Sequence, residues 1–169
     1  MKIKNCFLLM SLCITGLFLS CSKEQANQVI DQVSEYYVKC DADTGSGVFK
    51  FDVNTPIGKF EKNTKSILLT AQSLNNLNLT ISIFTNKDTL SQATTGNYPL
   101  DSVLSPSSLT WGLTQTSAMA TNTGNKIVIE KFEEKENGKR VVQGTFAGNI
   151  GSNNAIKLTN GKFRVLVNP

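Results

Sequence analysis

Residues 126–146 read KIVIEKFEEKENGKRVVQGTF and contain the clearest local fold signal in the chain. Two β-rich segments, 126–133 and 139–146, flank the tetrapeptide Lys135-Glu136-Asn137-Gly138. Asn-Gly is the preferred centre of a tight turn between antiparallel strands, because both residues accept a positive φ at low cost. The stretch therefore predicts a β-hairpin, and the rest of the chain is interpreted outward from it.

Alternating apolar and polar residues recur on both sides of this hairpin. The clearest case is 77–84, where Leu77, Leu79, Ile81 and Ile83 alternate with polar residues, as expected of a half-buried strand. Further strands are predicted at 36–41, 48–53, 66–72, 97–100, 155–158 and 162–167. Turns rich in Gly, Asn, Asp and Ser are predicted at 43–47, 73–76, 151–154 and 160–161.

No long amphipathic helical pattern occurs after residue 35. The sequence therefore predicts an all-β fold, a single antiparallel β-sandwich or small barrel-like domain spanning residues 35–169. Residues 116–125 are rich in Ser, Thr, Asn and Ala, and we expect a loop there.

The N-terminus has the pattern of a secretion signal. Lys2 and Lys4 precede an apolar run over 6–19, which is too short to span a bilayer comfortably. The run ends at Cys21, with the small Ser20 before it. This resembles a bacterial lipoprotein signal, in which the cysteine thiol receives a diacylglycerol, the chain is cut before it and the new amino group is acylated.

Three expectations follow from this resemblance. Residues 1–20 form a signal peptide, Cys21 is lipidated, and the mature protein stays in the cell envelope, held at the outer membrane on either its periplasmic or its surface face. Residues 21–34 form either an extended tether or a short helix. The alternatives are a plain secreted protein, whose cysteine merely falls near the cut, and an uncleaved helical anchor.

Composition narrows the chemistry. Loss of residues 1–20 leaves about 149 residues, enough for one domain. It also leaves 15 Lys and Arg against 13 Asp and Glu, a balance that gives no reason to expect nucleic-acid binding. The chain has no His, so a Ser-His-Asp triad, a Cys-His pair and a His-ligated metal are excluded. We predict no cofactor and no metal.

The cysteine content also limits the possible chemistry. After maturation Cys40 is the one remaining unmodified cysteine, because Cys6 and Cys13 leave with the signal and Cys21 carries lipid. An intramolecular disulfide is therefore not available. We interpret Cys40 as a small buried hydrophobic residue, with a reactive thiol or an intermolecular bridge as the alternatives.

The C-terminal third carries a second resemblance. Residues 126–129, Val142-Gln143-Gly144-Thr145-Phe146 and Leu158-Thr159-Asn160-Gly161-Lys162-Phe163 follow one another as in a Bacteroidota-type lipoprotein domain family, and Gly96-Asn97-Tyr98-Pro99-Leu100 resembles an earlier element of it. The likeness covers about half of the mature chain. It implies an all-β domain after a tethering cysteine, and it implies no activity, because none is assigned to the family.

Two groups of acidic residues are candidates for a calcium site or an acid-base catalytic site. Asp41-Ala42-Asp43-Thr44-Gly45 has the alternating oxygens of a calcium loop, but the position that would supply a bidentate Glu holds an Asp, which favours an ordinary turn. Glu133, Glu134 and Glu136 crowd one hairpin end. Acid-base catalysis needs two carboxylates held across a cleft, so a solvated tip is the better interpretation.

Trp111 and Tyr98 are the candidate ligand-binding residues. Together with Tyr36 or Tyr37 they could offer aromatic faces to sugar rings, while core packing is the alternative. The leading functional hypothesis is a non-catalytic, membrane-anchored domain that binds or scaffolds another envelope protein. A glycan-binding module of a carbohydrate-uptake system comes second, and a carboxylate-based hydrolase third.

Overall fold

The computed structural model describes residues 35–100, 107–112, 126–150 and 156–169, all within the unit Ser34–Pro169. The predicted signal peptide, Cys21, the tether or helix at 21–34, the loop at 116–125 and the turn at 151–154 lie outside the described residues.

The described residues form ten strands joined by turns. They are β1 Tyr37–Asp43, β2 Val48–Val53, β3 Ile57–Glu61, β4 Ser66–Gln72, β5 Asn78–Phe84, β6 Gly96–Pro99, β7 Ser108–Gly112, β8 Lys126–Glu134, β9 Arg140–Ile150 and β10 Ile156–Asn168. The helices between them are single 3₁₀ turns, Leu90–Gln92 and Glu136–Gly138. The all-β prediction is confirmed.

One continuous sheet contains all ten strands. Its main path runs β6-β8-β9-β10-β3-β4-β5-β7, and β1 and β2 branch from β10. Strand β10 lies at the junction, because β1 pairs with residues 157–164 while β3 pairs with its last residues. No pairing among the described strands joins β6 to β7.

The described strands share one apolar core. Strand β5 alternates strictly and β4 does so from Ile67 onward, with Leu69, Leu79, Ile81 and Ile83 fully buried and the residues between them directed outward. The main strand path, on both sides of β10, and the β1–β2 pair all contribute residues to the same buried hydrophobic cluster. The alternation is the physical cause of the layering, because each strand has one face to remove from water.

Strand β3 was not predicted, and its pairing with β10 is parallel, so the sheet is mixed rather than purely antiparallel. Its inward positions are Gly58 and Phe60, while Ile57 faces outward and is 69% exposed. A Cβ on Gly58 would lie 2.6 Å from the Leu166 carbonyl oxygen, so glycine permits the close approach of β3 to β10.

The predicted turn at Asn160-Gly161 is wrong: both residues lie inside the continuous strand β10. The register of β10 against β9 shifts between Leu158 and Gly161, and Asn160 has φ 54°. This is a β-bulge, which bends the strand without ending it.

The other three turns in the described residues match their predictions. In the β8–β9 hairpin, Asn137 and Gly138 both have positive φ. The β4–β5 turn closes with the Ser73 amide donating to the Leu77 carbonyl. Between β1 and β2, the Gly45 amide donates to Asp43 Oδ1 at 2.9 Å.

Candidate functional site

Trp111 lies inside the core. It is 6% exposed, and its ring centroid lies 5.3 Å from that of Phe51 and 6.4 Å from that of Phe49, both on β2. These contacts pack the inward side chains of β7 and β2 against each other. A side chain enclosed in this way offers no open ring face to a sugar.

Tyr98 is half-buried on β6, at the opposite end of the main strand path from Trp111. Its hydroxyl donates to the Thr94 carbonyl at 2.6 Å, and its ring packs against the edge of the core. The exposed, coplanar pair that an aromatic glycan platform requires is therefore not formed by these two residues.

The Asp41–Gly45 segment is an ordinary turn. Asp43 accepts the Gly45 amide, and Asp41 Oδ2 accepts the Asn160 amide group at 2.8 Å. Within the described ranges, no three His, Cys, Asp or Glu side chains come close enough together to hold a metal ion.

An ion-pair network occupies the outer face of β8, β9 and β10. Arg164 grips Glu133 with two parallel bonds, of 2.9 Å from Nη1 to Oε1 and 3.0 Å from Nη2 to Oε2. It also donates to Gln143 at 3.1 Å and to Glu35 at 3.3 Å. We call Arg164, Glu133, Gln143 and Glu35 the Arg164 cluster.

The Arg164 cluster has a clear electrostatic signature. Hydrogen bonds from Arg164 and then Lys131 lower the pKa of Glu133 from 4.5 to about 2, and Glu133 in turn raises the pKa of Arg164. A carboxylate held so firmly in its charged form is a poor proton donor. The network is suited to holding β8 and β10 in place rather than to proton transfer.

Arg140 is the one charged residue among the buried polar side chains of the described ranges. Its Nη1 donates to the carbonyls of Leu90 (2.8 Å) and Ala93 (3.0 Å), and its guanidinium lies 3.9 Å from the Phe132 ring centroid. Its Nε forms an ion pair with Glu134 at 2.8 Å, without hydrogen-bond geometry. Arg140 thus ties the 3₁₀ turn to β9.

No Asp or Glu is buried in the described part of the chain. Glu133 and Glu134 each face an arginine, on β10 and β9 respectively, and Glu136 is exposed. The pair of opposed buried acids that a carboxylate hydrolase would use is not found there.

Cys40 is buried on β1 and unbridged, as the sequence predicted. Burial, and then the nearby charge of Asp41, raise the pKa of its thiol from 9.0 to about 12. The thiol is therefore neutral at physiological pH.

Strand β2 presents a free edge. Among the described strands it pairs with β1 alone. Its first two residues are apolar and exposed, Val48 at 66% and Phe49 at 38%. The Phe49 ring meets Trp111 edge-on, so the exposed apolar surface is continuous with the core.

The outer face of β3, β4 and β5 carries a groove of about 450 Å³. We call it the uncharged groove because its lining holds no ionisable side chain: Thr55, Ile57, Thr70, Gln72, Asn78 and Thr80. Register brings these residues together, since Ile57 lies opposite Thr70, Thr70 opposite Thr80, and Gln72 opposite Asn78.

Sequence reasoning missed the β2 edge and the uncharged groove. The alternation in β4 and β5 does predict that Thr70 and Thr80 face outward, but local sequence does not give the pairing register that aligns them. The role of Arg164 was missed for the same reason, because its partners lie 31 and 129 residues away.

None of the helices in the described ranges is long and apolar enough to cross a membrane. Comparisons with protein-family profiles, curated proteins and solved structures find no match to this chain.

Proposed function

We propose that this protein is a lipid-anchored, non-catalytic binding domain of the cell envelope that contacts another envelope protein through the free edge of β2. The observation that carries the proposal is the exposure of Val48 and Phe49 on a strand that pairs on one side only.

The chemistry of this edge suits a protein partner. An unpaired strand edge offers backbone N–H and C=O groups to an incoming extended segment, and side chains beside it supply selectivity. Val48 and Phe49 would give that segment an apolar surface to cover. Exposed apolar residues continuous with a core are typical of interaction sites.

Location supports the same proposal. The N-terminus resembles a lipoprotein signal, and a lipid on Cys21 at the outer membrane would bring the domain together with other envelope proteins. The Arg164 and Arg140 networks suit a rigid scaffold, because they fix strands and turns in place.

Site-specific crosslinking in cells tests the partner and the surface together. A photoreactive p-benzoylphenylalanine replaces Val48 in the full-length lipoprotein, and in a matched control it replaces Glu130, an exposed residue of β8. We expect a discrete crosslinked species from position 48 and not from position 130, identified by mass spectrometry as an envelope protein.

The proposal is abandoned if position 48 gives uncrosslinked monomer alone, or the same products as position 130. A second variant, Val48→Lys, keeps a strand-compatible residue while removing the apolar contact. It is expected to abolish capture of the same partner by a photoreactive group at Lys50.

A further inference from the structure

We propose that the uncharged groove on β3, β4 and β5 is a second binding site and that its ligand is a neutral glycan. The site shares no residue with the β2 edge, so this inference does not rest on the envelope-protein proposal.

The groove is rich in unused hydrogen-bonding groups. The side chains of Thr55, Thr70, Thr80 and Asn78 form no hydrogen bond within the described part of the chain. Gln72 makes a single long contact of 3.5 Å, to Asn76. Three hydroxyls and two amides therefore provide donors and acceptors in one small area.

The groove also has an apolar element. Ile57 is 69% exposed and lies in the same cross-strand row as Thr70 and Thr80. A sugar ring combines hydroxyl groups at its rim with a C–H face, so it needs polar partners beside an apolar contact. The lining of the groove provides both.

Charge argues against other ligand classes. A phosphate, a carboxylate or a nucleic acid would call for Lys or Arg in the lining, and there is none. The charged residues of β3, Lys59 and Glu61, neutralise each other at 2.8 Å. A wholly apolar ligand would leave the five polar side chains unpaired.

Affinity electrophoresis of the full-length lipoprotein in detergent micelles tests the inference. The neutral probes are dextran, laminarin and xyloglucan, and anionic polygalacturonate is the charge control. We expect at least one neutral polysaccharide to retard the protein, to the same degree at about 0.1 M and about 1 M salt, because no ion pair contributes.

A pair of matched variants locates the site. Thr70→Val with Thr80→Val removes two hydroxyls while keeping shape and strand preference, and should weaken binding about tenfold or more, as expected for the loss of two hydrogen bonds. Thr145→Val makes the same change on the outer face of β9 and should leave binding unchanged. Melting temperatures of all variants check the fold.

Three outcomes overturn the inference: no retardation by any of the three neutral polysaccharides, binding that follows polygalacturonate and falls with salt, or equal affinity of the Thr70/Thr80 double variant. Crosslinking of a protein partner from position 72, without glycan binding, would assign the groove to a protein instead. None of these results bears on the crosslink expected from position 48.

Discussion

Cys40 illustrates how burial makes a single thiol unreactive. Its side chain is 5% exposed, and its pKa of about 12 lies three units above the ordinary 9.0. The thiolate is the reactive form of a cysteine, so the raised pKa keeps Cys40 in its unreactive thiol form. The pKa and the lack of access act together.

We therefore predict that a thiol-specific disulfide reagent at pH 8 labels Cys40 at least 100-fold more slowly in the native protein than in urea. Mass spectrometry of the time course provides the measurement. With Cys21 lipidated as proposed, its sulfur would be in a thioether and would add no background. Rapid labelling of the native chain would mean that β1 opens readily or that Cys40 is reactive.

Arg164 and Arg140 stabilise the fold in two different ways. Arg164 meets Glu133 near the surface and holds its carboxylate charged, whereas Arg140 is buried and satisfies backbone carbonyls. The first arrangement depends on pH, because Glu133 titrates. The bonds from Arg140 Nη1 to Leu90 and Ala93 do not, because their acceptors are carbonyl oxygens.

The pH dependence of the Arg164 cluster can be stated with its sign. The folded pKa of Glu133, about 2, lies below the ordinary 4.5, so the charged form stabilises the fold. This contribution is complete above about pH 4.5 and is lost as pH falls towards about 2.

We predict that the stability advantage of the wild-type protein over Glu133→Gln is constant from pH 7 to pH 5 and shrinks below pH 4.5. Urea unfolding followed by the fluorescence of Trp111, the single tryptophan, measures it. Glu130→Gln on the same strand is the control. An advantage that stays constant down to pH 2 would contradict the pairing.

At the scale of strands, sequence predicted most of those with strong alternation and missed β3, which lacks it. In β5, apolar residues occupy every inward position, so the pattern is visible. In β3, glycine occupies one inward position and isoleucine an outward one, so the pattern is inverted. The cause is tertiary: the approach of β10 leaves no room for a side chain at position 58.

The two Asn-Gly pairs make the same point about turns. Asn137-Gly138 closes a hairpin, and Asn160-Gly161 forms a bulge in an unbroken strand. The dipeptides are identical, and both asparagines adopt positive φ. Only the partners differ: β10 keeps β9 on one side and β1 on the other across the bulge, which holds the strand extended.

The roles of the candidate site residues also depend on tertiary contacts. The sequence alone does not decide whether Trp111 binds a ligand or packs in the core, because a lone tryptophan in a strand is compatible with both roles. Its burial depends on β2, some 60 residues earlier in the chain, folding against β7. The threonines of the uncharged groove depend on register in the same way.

Gly144 gives an element-scale prediction. A Cβ there would lie 2.0 Å from the Val128 carbonyl oxygen and 2.7 Å from the Phe163 ring. The backbone of β8 cannot move without breaking its ladder with β9. We predict that Gly144→Ala destabilises the protein by about 3 kcal/mol or prevents folding.

The neighbouring Thr145→Ala is the control for this change, because position 145 faces outward. It should alter the free energy of unfolding by about 0.5 kcal/mol or less. Urea unfolding measures both. Equal stability of the two variants would mean that β8 and β9 are further apart than the structure has them.

At the scale of the whole domain, the two outer faces of the sheet differ in charge. The face built from β8, β9, β10, β1 and β2 carries most of the exposed ions, among them Lys39, Lys50, Lys126, Glu130, Lys157 and Lys162. Among the described residues, strands β3, β4 and β5 carry the uncharged groove and the Lys59–Glu61 ion pair. This division gives the domain two surfaces of different chemistry, suited to different partners.

The proposed lipid on Cys21 would determine where those surfaces act. One acyl chain gives only reversible membrane binding, while two or three give stable anchoring, since each buried methylene contributes about 0.8 kcal/mol. We predict that the wild-type protein fractionates wholly with membranes, incorporates labelled palmitate and resists extraction by high salt.

The Cys21→Ser variant should incorporate no palmitate and lose this tight association. Cys40→Ser, which changes the other cysteine of the mature chain, is the matched control and should stay membrane-bound and labelled. If Cys21→Ser still fractionates with membranes after a salt wash and retains its N-terminal apolar run, the chain is held by an uncleaved helix. If the wild-type protein is soluble, it is simply secreted, and both binding proposals would then concern a diffusible domain.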